Sequence, residues 1–223
     1  MTPDSGGGRF RLIIFDWDGT IVDSTNAIAE SIRLASEDMG CQLRDSHVAK
    51  YVIGLGLKDA LAIAVPQLPE SRYGALAERY KHHFLERDAQ IRAFAGVETM
   101  LGRLRDRGRY LGIATGKSSI GLTRSLEITG LRHYFRATRC ADQATPKPSP
   151  EMLFQLMDEV GVGRQEALMI GDTTHDIKMA QNAGVACVAV TYGAHPHGDL
   201  QRMGPLACVH GVGELDQWLN LNA

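Results

Sequence analysis

From residue 110 onward, short apolar runs alternate with stretches of helical spacing, and this alternation restricts the fold more than any other feature. The runs are "YLGIAT" (110–115), "ALMIGD" (167–172) and "ACVAVT" (186–191), separated by helical patterns of about 10–15 residues. Strands that are apolar throughout must be covered on both faces, which calls for a parallel sheet between two helical layers. "LIIFD" (12–16) reads as one more buried strand of that sheet. The expected fold class is therefore α/β, a Rossmann-like doubly wound parallel sheet. At 223 residues the chain can hold one such domain, or a core with a smaller insertion.

Between the first strand and "YLGIAT" no convincing strand occurs. Apolar positions recur there at helical spacing, as in Ile28, Ile32, Ala35 and Met39, and again in Leu76, Tyr80 and Phe84. Pro66 and Pro69 interrupt the segment, and Gly54 and Gly56 flank a short apolar link. The pattern predicts a small all-helical unit over 24–90, a core from 9–23 and 91–223, and a flexible N-terminus over 1–8. "GVETMLGRLRDRG" (96–108) then becomes the helix leading back into the sheet, closed by Gly108.

Composition narrows the partners. With 24 basic and 26 acidic side chains the net charge is −2, whereas a polyanion-binding surface needs an excess of base, so nucleic acid is not expected. The four cysteines form no C-x-x-C pair, which leaves zinc or a disulfide framework unsupported and points to a reducing compartment. No apolar secretion signal opens the chain, and no run approaches the roughly 18 residues of a membrane span. A cytoplasmic protein without membrane contact is expected, as monomer or homodimer.

In open parallel sheets ligands bind outside the carboxyl ends of the strands, and the unusual polar residues gather there. The first strand delivers Asp16 and Asp18, "YLGIAT" delivers Thr115, Gly116 and Lys117, and "ALMIGD" delivers Asp172, with Asp176 one helical turn on. Lys147 falls in "TPKPSP", just before a helix for which Ser149 is the expected N-cap and Pro150 the first residue. Asp16, Asp172 and Asp176 carry about −3, and an all-oxygen set suits a hard cation such as Mg²⁺. Mg²⁺ with Lys147 returns about +3, so a phosphate dianion could enter. The Thr115 hydroxyl and the N–H groups around Asp18, Gly19 and Gly116 could hold its oxygens.

"DWDGTIVDS" (16–24), "ATGK" (114–117), "KPSPE" (147–151) and "GDTTHDI" (171–177), in this order, resemble the haloacid dehalogenase superfamily of hydrolases, specifically its phosphatases. The resemblance runs from Leu12 to about Gly193 and includes "YGAH" after the last strand. It implies that Asp16 is a nucleophile forming an aspartyl-phosphate, and that Asp18 is the general acid and then the base. It implies that Thr115 and Lys147 hold the phosphoryl group. Asp16, the Asp18 carbonyl and Asp172 would bind Mg²⁺, with Asp176 as a further ligand or a partner of one. The helical insertion matches the superfamily's cap, and the implied substrate is a small phosphorylated metabolite of phosphoglycolate or sugar-phosphate type.

An acid at position 18 disfavours the dehalogenase and phosphonate-cleaving branches, which lack one there. A phosphomutase of the β-phosphoglucomutase type shares the core motifs and stays open. A phospho-acceptor switch resembling a receiver domain is the non-enzymatic alternative, disfavoured by chain length and by the insertion. Gly116 stands where many relatives have Asn. "GLGLKDA" (54–60) is a helix-linking turn rather than a dinucleotide loop. In relatives the matching turn dips toward substrate, which makes Leu55, Leu57 and Lys58 candidate contacts. His82, His83, His195 and His197 read as surface or loop residues, His175 as pointing away from the metal site, Trp17 as a wedge under the cap or against a loop, and Asp23 with Ser24 as a helix cap.

Overall fold

A computed structural model describes residues 9–43 and 45–223, so the predicted flexible segment 1–8 lies outside the described residues. Among the described residues six strands form one parallel sheet: β1 (Leu12–Phe15), β2 (Tyr110–Thr115), β3 (Ala137–Cys140), β4 (Ala167–Gly171), β5 (Ala186–Val190) and β6 (Ala207–Val209). Their order is β3-β2-β1-β4-β5-β6, every neighbouring pair parallel. The chain builds outward from β1 on one side, then crosses back to build outward on the other. That reversal opens a crevice at the carboxyl ends of β1 and β4.

The β1 strand shows why the sheet is buried on both faces. Ile13 and Phe15 pack with α5 (Val97–Asp106), α6 (Ser119–Thr129) and α10 (Val212–Asn222), whereas Leu12 and Ile14 pack with α7 (Glu151–Val160), α8 (Thr174–Ala183) and α9 (His197–Arg202). Alternate side chains serve opposite layers, so a one-residue slip would exchange both cores. β3 and β6 were not foreseen. In "ATRC" only Ala137 and Cys140 are buried, and β6 is three residues long at the sheet edge, so neither carries a clear apolar run.

The segment between β1 and β2 folds as α1 (Thr25–Asp38), α2 (Ser46–Tyr51), α3 (Leu57–Ala64) and α4 (Tyr73–Leu85), followed by α5 beneath the sheet. Ile28, Ile32, Val52, Leu61 and Leu76 centre a hydrophobic cluster of its own, giving an all-helical cap. The two connections to the core pair antiparallel: Phe94 N–H donates to Ile21 O and Asp23 N–H to Arg92 O, each at 3.0 Å. Among the described residues, no helix is long and apolar enough to cross a membrane.

Several local expectations are corrected. Trp17 is fully buried in the core rather than wedged under the cap or against a loop, with Nε1 donating to Ser125 Oγ at 2.8 Å and its ring edge-on to Phe135. Ser24 occupies the N-cap of α1 without a side-chain cap bond, because its hydroxyl is used elsewhere. Asp23 is held through its backbone N–H, which donates to Arg92 O. The helix after Lys147 begins one residue late, at Glu151 with Pro150 as N-cap. His83 is not a surface residue: its Nε2 lies 2.8 Å from Asp38 Oδ2 and ties α4 to α1, whereas His82 is exposed.

Candidate active site

Asp16 follows β1, and Asp172 follows the adjacent β4, so strand pairing alone brings the two carboxylates together. Asp176 joins them from the first turn of α8 through a local motif. Thr173 and Asp176 form a reciprocal capping box, in which Asp176 Oδ2 accepts from Thr173 N–H at 3.0 Å and Thr173 Oγ1 at 2.7 Å. The cap fixes the carboxylate and leaves Asp176 Oδ1 facing the site. One oxygen from each of Asp16, Asp172 and Asp176 lies within 4.8 Å of the others, and all three residues are buried.

Lys147 is also buried, with Nζ 2.7 Å from Asp16 Oδ1 and 2.6 Å from Asp176 Oδ1. Burial alone would push the Lys147 ammonium down, but the two carboxylates more than reverse this and hold it above its ordinary value. Burial pushes Asp16 up to about 7, partly countered by Lys147 and reinforced by Asp176. Burial and the same neighbouring carboxylates raise Asp172. With all three carboxylates ionised, the one ammonium would leave two uncompensated negative charges among buried side chains.

Asp16 Oδ2 is buried and has no hydrogen-bond partner among the described residues. Asp172 is oriented by Thr20 Oγ1, which donates to Oδ1 at 2.8 Å, and by Ala194 N–H, which donates to Oδ2 at 2.7 Å. An orphaned carboxylate oxygen, an excess of negative charge and an all-oxygen donor set together fit a divalent metal ion. Gly19 makes the packing possible: its φ is +85°, and a Cβ there would sit 2.3 Å from Asp172 Oδ2. Its N–H donates to Val22 O at 2.9 Å, so the expected phosphate contact from Gly19 is replaced by a role in the turn.

Asp18 is held by a different set of groups. Ser24 Oγ donates to Oδ1 at 2.8 Å, and Lys117 Nζ lies 3.0 Å from both oxygens. The same ammonium sits 4.7 Å from the centre of the Phe84 ring on the cap. Lys117 N–H in turn donates to Thr115 Oγ1 at 3.2 Å. Sequence reasoning placed Lys117 at the correct edge but assigned it no role. The available signal was its position beside Thr115 and Gly116 at the end of β2.

Gly116 supports the cap from below. A Cβ at this position would lie 2.4 Å from Leu55 O and 2.5 Å from Gly54 O, so the cap turn rests on the space a side chain would need. Lys58, one residue past Leu57, is turned away from the site: its side chain is 79% exposed and pairs with Glu70 at 3.8 Å. Leu55 and Leu57 do line the cavity. His195 lies on the loop between β5 and α9, as expected, but inside the fold. It is buried and stacked on Tyr51 with ring centres 4.8 Å apart, and it donates from Nε2 to Tyr51 O at 2.9 Å. Thr174 N–H donates to its Nδ1 at 3.1 Å, which makes the ring neutral, and burial holds its pKa low. His175 does point away from the carboxylates, with Nε2 3.0 Å from the same Tyr51 carbonyl, and His197 is exposed at the start of α9.

Asp16 and Asp18 line a cavity of about 440 Å³ between core and cap, with Thr115, Gly116 and Lys117 beside them on its core side. This is a parallel α/β fold with a helical cap over a carboxylate–lysine site at the switch point, where open α/β sheets bind small ligands. The chain belongs to the haloacid dehalogenase-like hydrolases, whose family model matches residues 13–190. It is 35% identical to a protein named probable phosphatase IndB from Dickeya dadantii, over 92% of this chain and 91% of that one. It is 31% identical to a phosphoglycolate phosphatase from Agrobacterium fabrum, over 82% of this chain and 81% of the relative. The fold superposes on the crystal structure of a hydrolase from Pseudomonas syringae with a TM-score of 0.87 at 22% identity, covering 96% of this chain and 99% of that one. The protein is a phosphatase of this family.

Proposed function

We propose that this phosphatase is Mg²⁺-dependent and hydrolyses a small phosphomonoester through a covalent phosphoryl group on Asp16. The observation that carries the reading is the division of labour between two carboxylates two residues apart. Asp16 is buried against Lys147 with one oxygen unpartnered, whereas Asp18 faces the cavity between Ser24 and Lys117. Two acids in unlike surroundings suit a nucleophile and a proton carrier.

In the first step an Asp16 oxygen attacks phosphorus, the bond from phosphorus to the leaving oxygen breaks, and Asp18 gives that oxygen its proton. In the second step Asp18 takes a proton from water, whose oxygen attacks phosphorus. The Asp16–phosphorus bond breaks and inorganic phosphate leaves. Lys147 fixes the rotamer of Asp16, Thr115 offers a hydroxyl to the phosphoryl oxygens, and Lys117 keeps Asp18 aimed at the cavity. Bound by Asp16, Asp172, Asp176 and the Asp18 carbonyl, Mg²⁺ would neutralise charge on the phosphoryl oxygens. In-line transfer is mainly positioning and charge neutralisation, so this small set suffices.

Turnover of p-nitrophenyl phosphate with Mg²⁺ tests the reading. Many equivalents of p-nitrophenol and inorganic phosphate per chain are expected. One equivalent per chain, with the phosphoryl group retained, would instead describe a phospho-acceptor switch.

A further inference from the structure

Above the carboxylates the cavity is walled by hydrocarbon. Ile28 and Ile32 of α1, Val52 and Ile53 beyond α2, and Tyr80 and Phe84 of α4 all face it. The surface continues outward to Ile120 at the start of α6, which is 82% exposed, and to Leu85, which is 49% exposed. An isoleucine this open at a cavity mouth extends the apolar wall into solvent.

Among the described residues, each cation lining the cavity already faces a carboxylate. Lys117 lies 3.0 Å from Asp18, Lys81 2.6 Å from Glu78, and Arg124 2.5 Å from Asp88. A second anionic group on the substrate would lose its water and find no unclaimed positive charge. Several sugar hydroxyls would find few partners on the cap side, where the described polar side chains are Tyr80, Lys81 and Asp88, and beyond the catalytic end the core side adds only Ser118 and Arg124 among the described residues. At about 440 Å³ the cavity has room for on the order of fifteen water-sized groups at about 30 Å³ each. That exceeds what a phosphoryl group and a two-carbon acid need.

We infer that the leaving group is an uncharged apolar alcohol, so that the preferred substrates are alkyl or aryl phosphate monoesters rather than phosphoglycolate or sugar phosphates. This rests on the reading of the site as a phosphomonoesterase. The phosphoryl group sits at the carboxylate end, and the hydrocarbon runs between α1 and α4 toward Ile120.

The test is kcat/KM with Mg²⁺ for ethyl, butyl and hexyl phosphate, phenyl phosphate, 2-phosphoglycolate and glucose 6-phosphate, with p-nitrophenyl phosphate as the activity control. The alkyl series should rise about fourfold per methylene until the cavity is filled. Butyl phosphate should exceed 2-phosphoglycolate and glucose 6-phosphate at least about tenfold. Ile32→Ala should lower kcat/KM for hexyl phosphate several-fold more than for ethyl phosphate. A flat or falling alkyl series, 2-phosphoglycolate or glucose 6-phosphate in the lead, or equal losses on both esters in Ile32→Ala, would overturn the inference and leave the phosphatase reading standing. No turnover of any ester, the control included, would remove the phosphatase reading itself and the inference with it.

Discussion

Lys147 donates to Asp16 at 2.7 Å in a site where both side chains are buried. The pair joins a loop before α7 to the end of β1, two segments 131 residues apart in the chain. Its ammonium also faces Asp176, so one cation holds together carboxylates from two elements.

Removing that cation should be costly. Lys147→Met keeps the bulk of the side chain but strands buried carboxylates, and breaking one partner of a buried pair costs about 3–5 kcal/mol. Urea unfolding in metal-free buffer should show that loss, and turnover should fall at least about 10²-fold. A change in unfolding free energy below about 1 kcal/mol would mean that Lys147 does not hold the site.

The metal-free protein should become less stable as pH rises. Asp16 has its pKa raised from 3.8 to about 7, chiefly by burial. Between those values the fold keeps a proton that the unfolded chain has released, so stability falls across this window and the full penalty stands above it. Mg²⁺ should relieve the penalty and raise Tm more at about pH 8 than at about pH 5. EDTA should abolish turnover, Mg²⁺ should restore it, and Ca²⁺ should do so poorly because its coordination is looser. Equal Tm gains at both pH values, or full activity in EDTA, would contradict this.

Gly116→Ala places a methyl where Gly54 O and Leu55 O now lie. Both neighbours are backbone, so the turn must retreat and the cap must seat less closely. Overpacking of this kind costs about 1–3 kcal/mol, and imperfect closure should lower kcat/KM about tenfold or more. Unchanged kcat/KM would show that this contact plays no part in closure.

The strands and the acid cluster were legible because each is written locally. β1, β2, β4 and β5 are continuous apolar runs, and Asp16, Thr115 and Asp172 stand where those runs end. Side-chain direction was not legible. Lys58 and Leu57 are adjacent, yet the leucine lines the cavity and the lysine points outward to Glu70. Nor does a sequence reveal what a buried ring touches across the chain, as with Trp17 on Ser125 or His195 on Tyr51. Gly116 shows both limits: the missing side chain was evident, but the cap backbone filling its place comes from more than fifty residues earlier in the chain.

Trapping of the phosphoenzyme tests the central claim most directly. Asp16→Asn removes the nucleophile, whereas Asp18→Asn keeps it and loses the base for water attack, a loss of roughly 10²–10⁴-fold. Acetyl phosphate needs little protonation of its leaving group, so Asp18→Asn should still accept a phosphoryl group from it and release it slowly. After rapid acid quench, intact-protein mass spectrometry should show a gain of about 80 Da on Asp18→Asn and none on Asp16→Asn. The same adduct on Asp16→Asn, or its absence from Asp18→Asn, would contradict the assignment of Asp16 as the phosphoryl acceptor.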